Sequence, residues 1–307
     1  MSSLALSEPV EHLLVRQDGV ARLDQLVAVG MTSAEIARQI AWGRWQGFGS
    51  TVVVAHNGPL TPAQQQWASV LGAGRRAALC GRSAAAHHGL DGWDDGRIHV
   101  LVERGTTPPA MPLPLAVHES RRYLPWIDAH PVRVPPMTRV DRSVVDAAAW
   151  TRHPRSACGL VIAGVQQRLT NPGRLLEELR TVGAVRHRRL LSRVLADVEG
   201  GAQALSEVDF GRMCRRHGLP IPVRQSVRLD PQGRRRYIDV ELRTRRGRQV
   251  LVEIDGAAHL IVGTYWSDMA RANEIVIAGQ SLLRFPTVAL YLDESTVVDQ
   301  LRRSLDD

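Results

Sequence analysis

The residues best equipped for chemistry are Asp239, Glu253 and Asp255, with His259 shortly after them, all within RRRYIDVELRTRRGRQVLVEIDGAAH, residues 234–259. Ile238, Val240 and Leu242 alternate with Asp239 and Glu241, and Val250, Val252 and Ile254 alternate with Leu251, Glu253 and Asp255. Alternation of this kind predicts two strands, each with one apolar and one largely acidic face. With Thr244 to Arg248 as the turn, Asp239 falls opposite Glu253 and Glu241 opposite Leu251. Opposed Cβ atoms lie about 4.5–5.5 Å apart, so unpaired carboxylates there repel each other. A divalent cation with its preference for hard oxygen ligands would relieve that repulsion. The acidic face is not needed for folding, which makes it a candidate site.

Several elements must position that hairpin. Gly200-Gly201 marks a boundary, after which SEVDFGRMCRRHG predicts a helix closed by arginines and Gly218. A strand in PIPVRQSVRLD leads into the hairpin, YWSDMARANEIVIAG predicts a helix, SLLRFP a strand and STVVDQLRRSL a closing helix. The order is helix, three strands, helix, strand, helix.

That order with an acidic hairpin at its centre resembles the PD-(D/E)xK nuclease superfamily, and more closely its very-short-patch-repair-like branch, over residues 203–305. The matching positions are Glu207 in the first helix, Asp239 in YIDVEL, Glu253 and Asp255 in VEIDG, His259, the polar pair Asp268 and Arg271, and Arg284 in the LRF strand. The resemblance implies that Asp239 and Glu253 hold Mg²⁺, which activates water and stabilises charge developing on a phosphate. Glu207 and Arg284 would support them. The chain departs from the pattern where the superfamily places lysine, since Asp255 stands there. His259 would take over as base or proton shuttle, its ordinary pKa of about 6.5 suiting that work. The second histidine of the branch is replaced by Leu260.

The arginines around the hairpin, Arg234, Arg235, Arg236, Arg245 and Arg246, could neutralise DNA phosphates, the alternative being a solvated turn. The whole chain shares this bias: 39 basic against 31 acidic residues give +8, and every basic residue other than histidine is arginine. Such an excess suits a polyanionic partner and excludes any mechanism built on a catalytic lysine. A 307-residue chain with 44% hydrophobic and 23% charged residues is an ordinary globular composition, long enough for two or three domains. No apolar run or leader pattern stands out, so the expected location is cytoplasmic. Cys80, Cys158 and Cys214 are scattered and odd in number, pointing to reduced thiols rather than a disulfide framework.

At the other end, helices are predicted over 7–17 and 21–29, and a third from Thr32, where Glu35 completes a capping box. The third helix is expected to turn Ile36, Ala37 and Ile40 inward and Arg38 outward, and a β-branched strand follows in GFGSTVVVAHNG. Three helices and a strand-bearing loop have the order of a winged helix-turn-helix, with Arg38, Gln39 and Arg44 as outward DNA-contacting groups. Residues 11–90, including LTPAQQQWASVLGAGRRAALCGRSAAAHHGL, resemble the N-terminal region of AbiEi-type antitoxins. Those belong to type IV toxin-antitoxin systems and regulate transcription through a winged helix, which implies a nucleotidyltransferase toxin as a further partner. His87-His88 reads as packing or capping, because adjacent helical side chains diverge by about 100°. Thr138-Arg139-Val140-Asp141-Arg142 reads as scaffold, and 156–199 as helices broken at Asn171-Pro172-Gly173 and Gly183.

The expected architecture is multidomain α/β: a winged helix-turn-helix over 1–60, an antitoxin-like α/β and helical middle region over 61–200, and a restriction-endonuclease-like domain with a mixed sheet over 201–307. The expected function is DNA binding coupled to Mg²⁺-dependent phosphodiester hydrolysis. The alternative is an antitoxin-like repressor whose nuclease fold is silent.

Overall fold

The computed structural model describes residues 6–121, 123–124, 128–182, 185–199, 203–229, 235–244, 246–255, 282–287 and 289–306, without the side chains of 203–208, 224–229, 235–239 and 255. The chain is mixed α/β, and its contacts cluster into two units, Met1–Ala147 and Ala148–Asp307. Among the described residues no helix is long and apolar enough to cross a membrane.

The first unit begins with α1 (Glu8–Arg16), β1 (Val20–Arg22), α2 (Leu23–Ala28), α3 (Ser33–Ala41), β2 (Gln46–Phe48) and β3 (Val52–Val54). The strands form an antiparallel sheet in the order β1-β3-β2, with Val20 opposite Val54 and Phe48 opposite Val52. Val53 faces a core of Val10, Leu14, Leu26, Ile36 and Trp45, whereas Val52 and Val54 face Val20, Trp67, Ala68 and Leu71. The run of valines thus serves two cores because successive strand side chains point to opposite faces. The single strand expected in GFGSTVVVAHNG is two, reversing at Gly49, whose φ of 63° favours glycine. The helix expected from residue 21 opens as β1, which pairs with a strand some thirty residues on.

Helix α4 (Pro62–Ala73) supplies Trp67, Ala68 and Leu71 to the second of these cores. It starts in a capping box, the Thr61 hydroxyl accepting from Gln64 N at 3.2 Å, with proline at the first helical position where no N–H is missed. Beyond it β4 (Ala78–Leu79), β5 (Ile98–Glu103) and β6 (Leu115–Ser120) make a second sheet, β4 antiparallel and β6 parallel to β5. Helix α5 (Gly81–His87) lies between β4 and β5. Residues 130–140 form no strand ladder, only isolated bridges at Met137 and Thr138. Prolines at 135 and 136 cannot donate to a ladder.

Two polar assemblies mark this unit. Arg142, in α6 (Val140–Trp150), is buried and donates to Asp146 at 2.8 Å and to Asp128 at 3.2 Å, and Thr138 and Ser143 share a hydroxyl bond of 2.7 Å. These contacts make the Thr138–Arg142 stretch scaffold, as expected. On the second sheet, His99 Nε2 meets Asp95 at 3.0 Å and His99 Nδ1 meets His118 Nε2 at 2.9 Å. The carboxylate only accepts, so His99 donates from Nε2, and its Nδ1 accepts from His118. Burial, then the neighbouring His99 and Arg97, lower the His118 pKa to about 4.

The second unit contains helices α7 (Pro154–Gln166), α8 (Pro172–Thr181) and α9 (Arg188–Val198). The break expected at Asn171-Pro172-Gly173 is a helix start, Asn171 capping Arg174 N at 3.0 Å. Gly183 and the Gly200-Gly201 boundary lie outside the described residues. Helix α10 (Gln203–Arg216) precedes β7 (Val223–Leu229), β8 (Arg235–Arg243) and β9 (Gln249–Asp255). After the helix expected over 265–279, which lies outside the described residues, come β10 (Leu282–Pro286), α11 (Ala289–Leu292) and α12 (Glu294–Leu305).

The sheet runs β10-β9-β8-β7, antiparallel from β7 to β9 and parallel between β9 and β10. One face carries Val240, Leu242, Val250, Val252, Ile254, Leu283 and Phe285 into a core with Phe210, Met213, Leu290, Val297 and Leu301 from the helices. Covering that face fixes the register, because a slip of one residue would bury the acidic set instead. The three cysteines are buried and unbridged, and burial pushes the Cys158 and Cys214 thiols up to about 12.

Candidate functional site

The hairpin closes on the register expected from alternation: Val240 opposite Val252, Glu241 opposite Leu251, Leu242 opposite Val250 and Arg243 opposite Gln249. The turn over Thr244–Arg248 is held by Thr244 N–H donating to Arg248 O at 2.9 Å and Gly247 N–H to Thr244 O at 3.0 Å. Continuing the register by one residue puts position 239 opposite Glu253, and the parallel pairing puts Arg284 opposite Glu253 on the other side. Positions 239, 253 and 284 therefore form one row across β8, β9 and β10.

Within that row Arg284 Nε donates to Glu253 Oε2 at 3.0 Å, both side chains partly open to solvent. This contact joins two of the positions that the nuclease resemblance matched separately. Glu241 is buried, and Arg243 Nε donates to its carboxylate at 3.1 Å. Sequence reasoning paired Glu241 correctly with Leu251 but left it out of the site. The signal was present, since Glu241 stands two residues from Asp239 and so shares its strand face. Asp255 ends β9, and its backbone pairs with Pro286. Glu207 lies in α10. The side chains of Glu207, Asp239 and Asp255, and all of His259, lie outside the described residues.

As a cation site the face offers two described carboxylates, Glu253 and Glu241, each holding an arginine. Among the described residues no group of three or more metal-ligating side chains converges. Carboxylate oxygens are the donors that hard divalent cations take. Of the surrounding arginines, Arg235 and Arg236 pair through their backbones with Leu229 and Arg228 of β7, and Arg246 is exposed in the turn. Arg234 and Arg245 lie outside the described residues.

No protein-family model and no curated protein matches the chain.

The second candidate surface is on α3. Thr32 N–H donates to the Glu35 carboxylate at 2.8 Å and Glu35 N–H to the Thr32 hydroxyl at 3.2 Å, closing the expected capping box. Arg38 and Arg44 are exposed, with their guanidinium carbons 5.9 and 5.0 Å from the ring centre of Trp42, itself 53% exposed. Gln39 corrects the expectation: it is buried and cannot be an outward contact. After Gly43 the chain folds back so that Arg44 N–H and Trp45 N–H both donate to the Gln39 carbonyl, and Trp45 enters the core beside Ile36. Ala37 and Ile40, expected inward, are exposed instead. The outward face of α3 is thus small residues, Arg38 and Ile40, followed by Trp42 with two guanidiniums against its ring.

His87 and His88 play the packing role expected of them. His87 Nε2 meets Gln66 at 2.6 Å, and His88 Nε2 donates to the Thr138 carbonyl at 2.8 Å. Burial lowers both pKa values.

Proposed function

We propose that the chain binds DNA through its N-terminal elements and hydrolyses a phosphodiester at the acidic hairpin with Mg²⁺. The observation that carries the reading is the row of positions 239, 253 and 284 across three neighbouring strands, with Arg284 ion-paired to Glu253. Helix α10, three antiparallel strands and a parallel fourth strand agree with the nuclease resemblance. In the N-terminal elements, a capped α3 with exposed Arg38 beside the β2–β3 hairpin agrees with a winged helix whose α3 enters the major groove. Arg38, Arg44 and the turn arginine Arg246 neutralise backbone phosphates.

Asp239 and Glu253 would hold Mg²⁺, which when bound supplies Lewis-acid stabilisation and an activated water. Arg284 plays the part this chain performs unaided: it orients Glu253 in the free protein and turns its guanidinium to the phosphate when DNA arrives. Asp255 and His259 assist as acid and base, and Glu207 supports the ligands.

The test is supercoiled plasmid incubated with the full chain and Mg²⁺, followed as nicked and linear product. Wild type converts plasmid and Glu253→Gln does not; equal product from both would remove the proposed site.

One observation favours a second reading. Both described carboxylates of the face already carry arginine counter-charges, as a silent scaffold would show. The chain would then be an antitoxin-like repressor, partnered by a nucleotidyltransferase toxin, that binds its own upstream DNA tightly and salt-sensitively without cutting it.

A further inference from the structure

Among the described side chains no Trp, Tyr or Phe is exposed except Trp42, which is 53% open to solvent. The exposure is built into the backbone. Trp42 closes α3, its N–H donating to the Arg38 carbonyl at 3.0 Å, and Gly43 N–H donates to the Ile40 carbonyl at 2.9 Å. Gly43 turns the chain at a φ of 66°, and its carbonyl accepts from Asn57 Nδ2 at 2.6 Å. Arg44 and Trp45 N–H both bond the Gln39 carbonyl, and the Trp45 ring enters the core. Every N–H from residue 42 to 45 is thus engaged, and the turn they fix holds the Trp42 indole outward.

Charge decides what the indole meets. Arg38 lies one turn back on α3 and Arg44 two residues on, their guanidinium carbons 5.9 and 5.0 Å from the ring centre. Arg38 also stands near Glu35, but that carboxylate serves the capping box with Thr32. A cation against an exposed ring is a weaker contact than a nucleobase stacked on one. A base therefore displaces a guanidinium from the ring and frees it for a neighbouring phosphate, where its bond is charge-assisted. In a duplex the faces of the bases are hidden in the stack, and their edges call for more hydrogen-bonding groups than the single N–H donor of an indole. The face becomes available where a base is unpaired.

We propose that Trp42, flanked by Arg38 and Arg44, is a stacking platform for an unpaired base, so that the DNA held at α3 includes a single-stranded segment beside duplex. This rests on the reading of the N-terminal elements as DNA-binding and names the form of DNA they take. Trp42 supplies the stacking surface, and the two arginines neutralise phosphates of the same strand.

The test is fluorescence anisotropy of the full chain, in EDTA so that the DNA stays intact, with three labelled ligands. These are a blunt duplex, that duplex with a thymine overhang, and that duplex with an overhang of abasic residues. The thymine overhang is expected to bind about tenfold more tightly than the blunt duplex, a size that stacking of one base produces. The abasic overhang, which keeps the phosphates and loses the bases, should forfeit most of that gain. Trp42→Ala should bring the blunt and thymine-overhang affinities together in a chain that still melts cooperatively, and Trp42→Phe, with an aromatic face, should keep part of the gain. Blunt-duplex binding with no gain from the thymine overhang would overturn the proposal and leave the DNA reading standing. So would an equal gain from the abasic overhang, or a gain that Trp42→Ala retains. No binding of any of the three would remove the DNA reading itself, and the platform with it.

Discussion

Replacing His118 with glutamine should flatten the acid sensitivity of stability between pH 7.5 and pH 5. In the folded chain His118 has its pKa lowered from 6.5 to about 4, by burial first and then by His99 and Arg97. Above pH 6.5 neither state holds the proton and the full stability is present. As pH falls from 6.5 toward 4, the unfolded chain takes up a proton that the folded chain refuses, so stability falls. A gap of this size corresponds to about 3 kcal/mol once pH is below 4, and about 2 kcal/mol at pH 5. His118 is only partly buried, and solvent contact trims the expected loss at pH 5 to roughly 1–2 kcal/mol. Asp95, whose own pKa is lowered by its hydrogen bond to His99 and the nearby Arg82 charge despite burial, contributes stability that is lost only at lower pH. His87 and His88 have lowered values too, but they shift wild type and variant alike. Glutamine can still donate an N–H to His99 Nδ1, so the sheet contact has a replacement. Urea midpoints at both pH values, for wild type and His118→Gln, measure the difference directly. Equal acid sensitivity in the two proteins would refute the reasoning.

Other substitutions test other parts of the account. Phe285→Ala, removing a fully buried ring from the core beneath the acidic sheet, should cost about 3–5 kcal/mol in urea unfolding; a loss under about 1 kcal/mol, in the range of ordinary substitutions, would contradict the packing. Thr32→Ala, which opens the capping box of α3, should cost about 1 kcal/mol, read as a lower melting midpoint. Arg38→Ala should weaken DNA binding and reduce the slope of log affinity against log salt by about one; an unchanged slope would take α3 off the DNA. The reverse control is Gln39→Ala, which should destabilise the first unit rather than change the salt slope, since Gln39 is buried.

How much of this was legible in the sequence depended on whether the deciding contact was local. The β8–β9 register could be read because alternation over Ile238–Leu242 and Val250–Ile254 admits one pairing once the turn is set. The Thr32–Glu35 capping box is likewise complete within four residues. Strand β1 was hidden because Val20–Arg22 is too short for a pattern of its own and becomes a strand only by pairing with Val52–Val54. Gln39 was turned the wrong way because a helix of nine residues holds few large apolar groups. Its buried side is set instead by the return of the chain at Gly43, which no periodicity encodes. Glu241 was readable as facing with Asp239, but its burial depends on tertiary packing. The Glu253–Arg284 pair was similarly invisible, because β10 joins β9 in parallel across a long crossover.

The most direct test of the acidic hairpin as a metal site is calorimetric titration of Mg²⁺ into the full chain, wild type against Asp239→Asn and Glu253→Gln. Wild type is expected to show one saturable site that is lost in both variants, with Arg284→Gln retaining it. Absence of saturable Mg²⁺ binding in wild type, or binding of equal strength in the Asp239 and Glu253 variants, would contradict it.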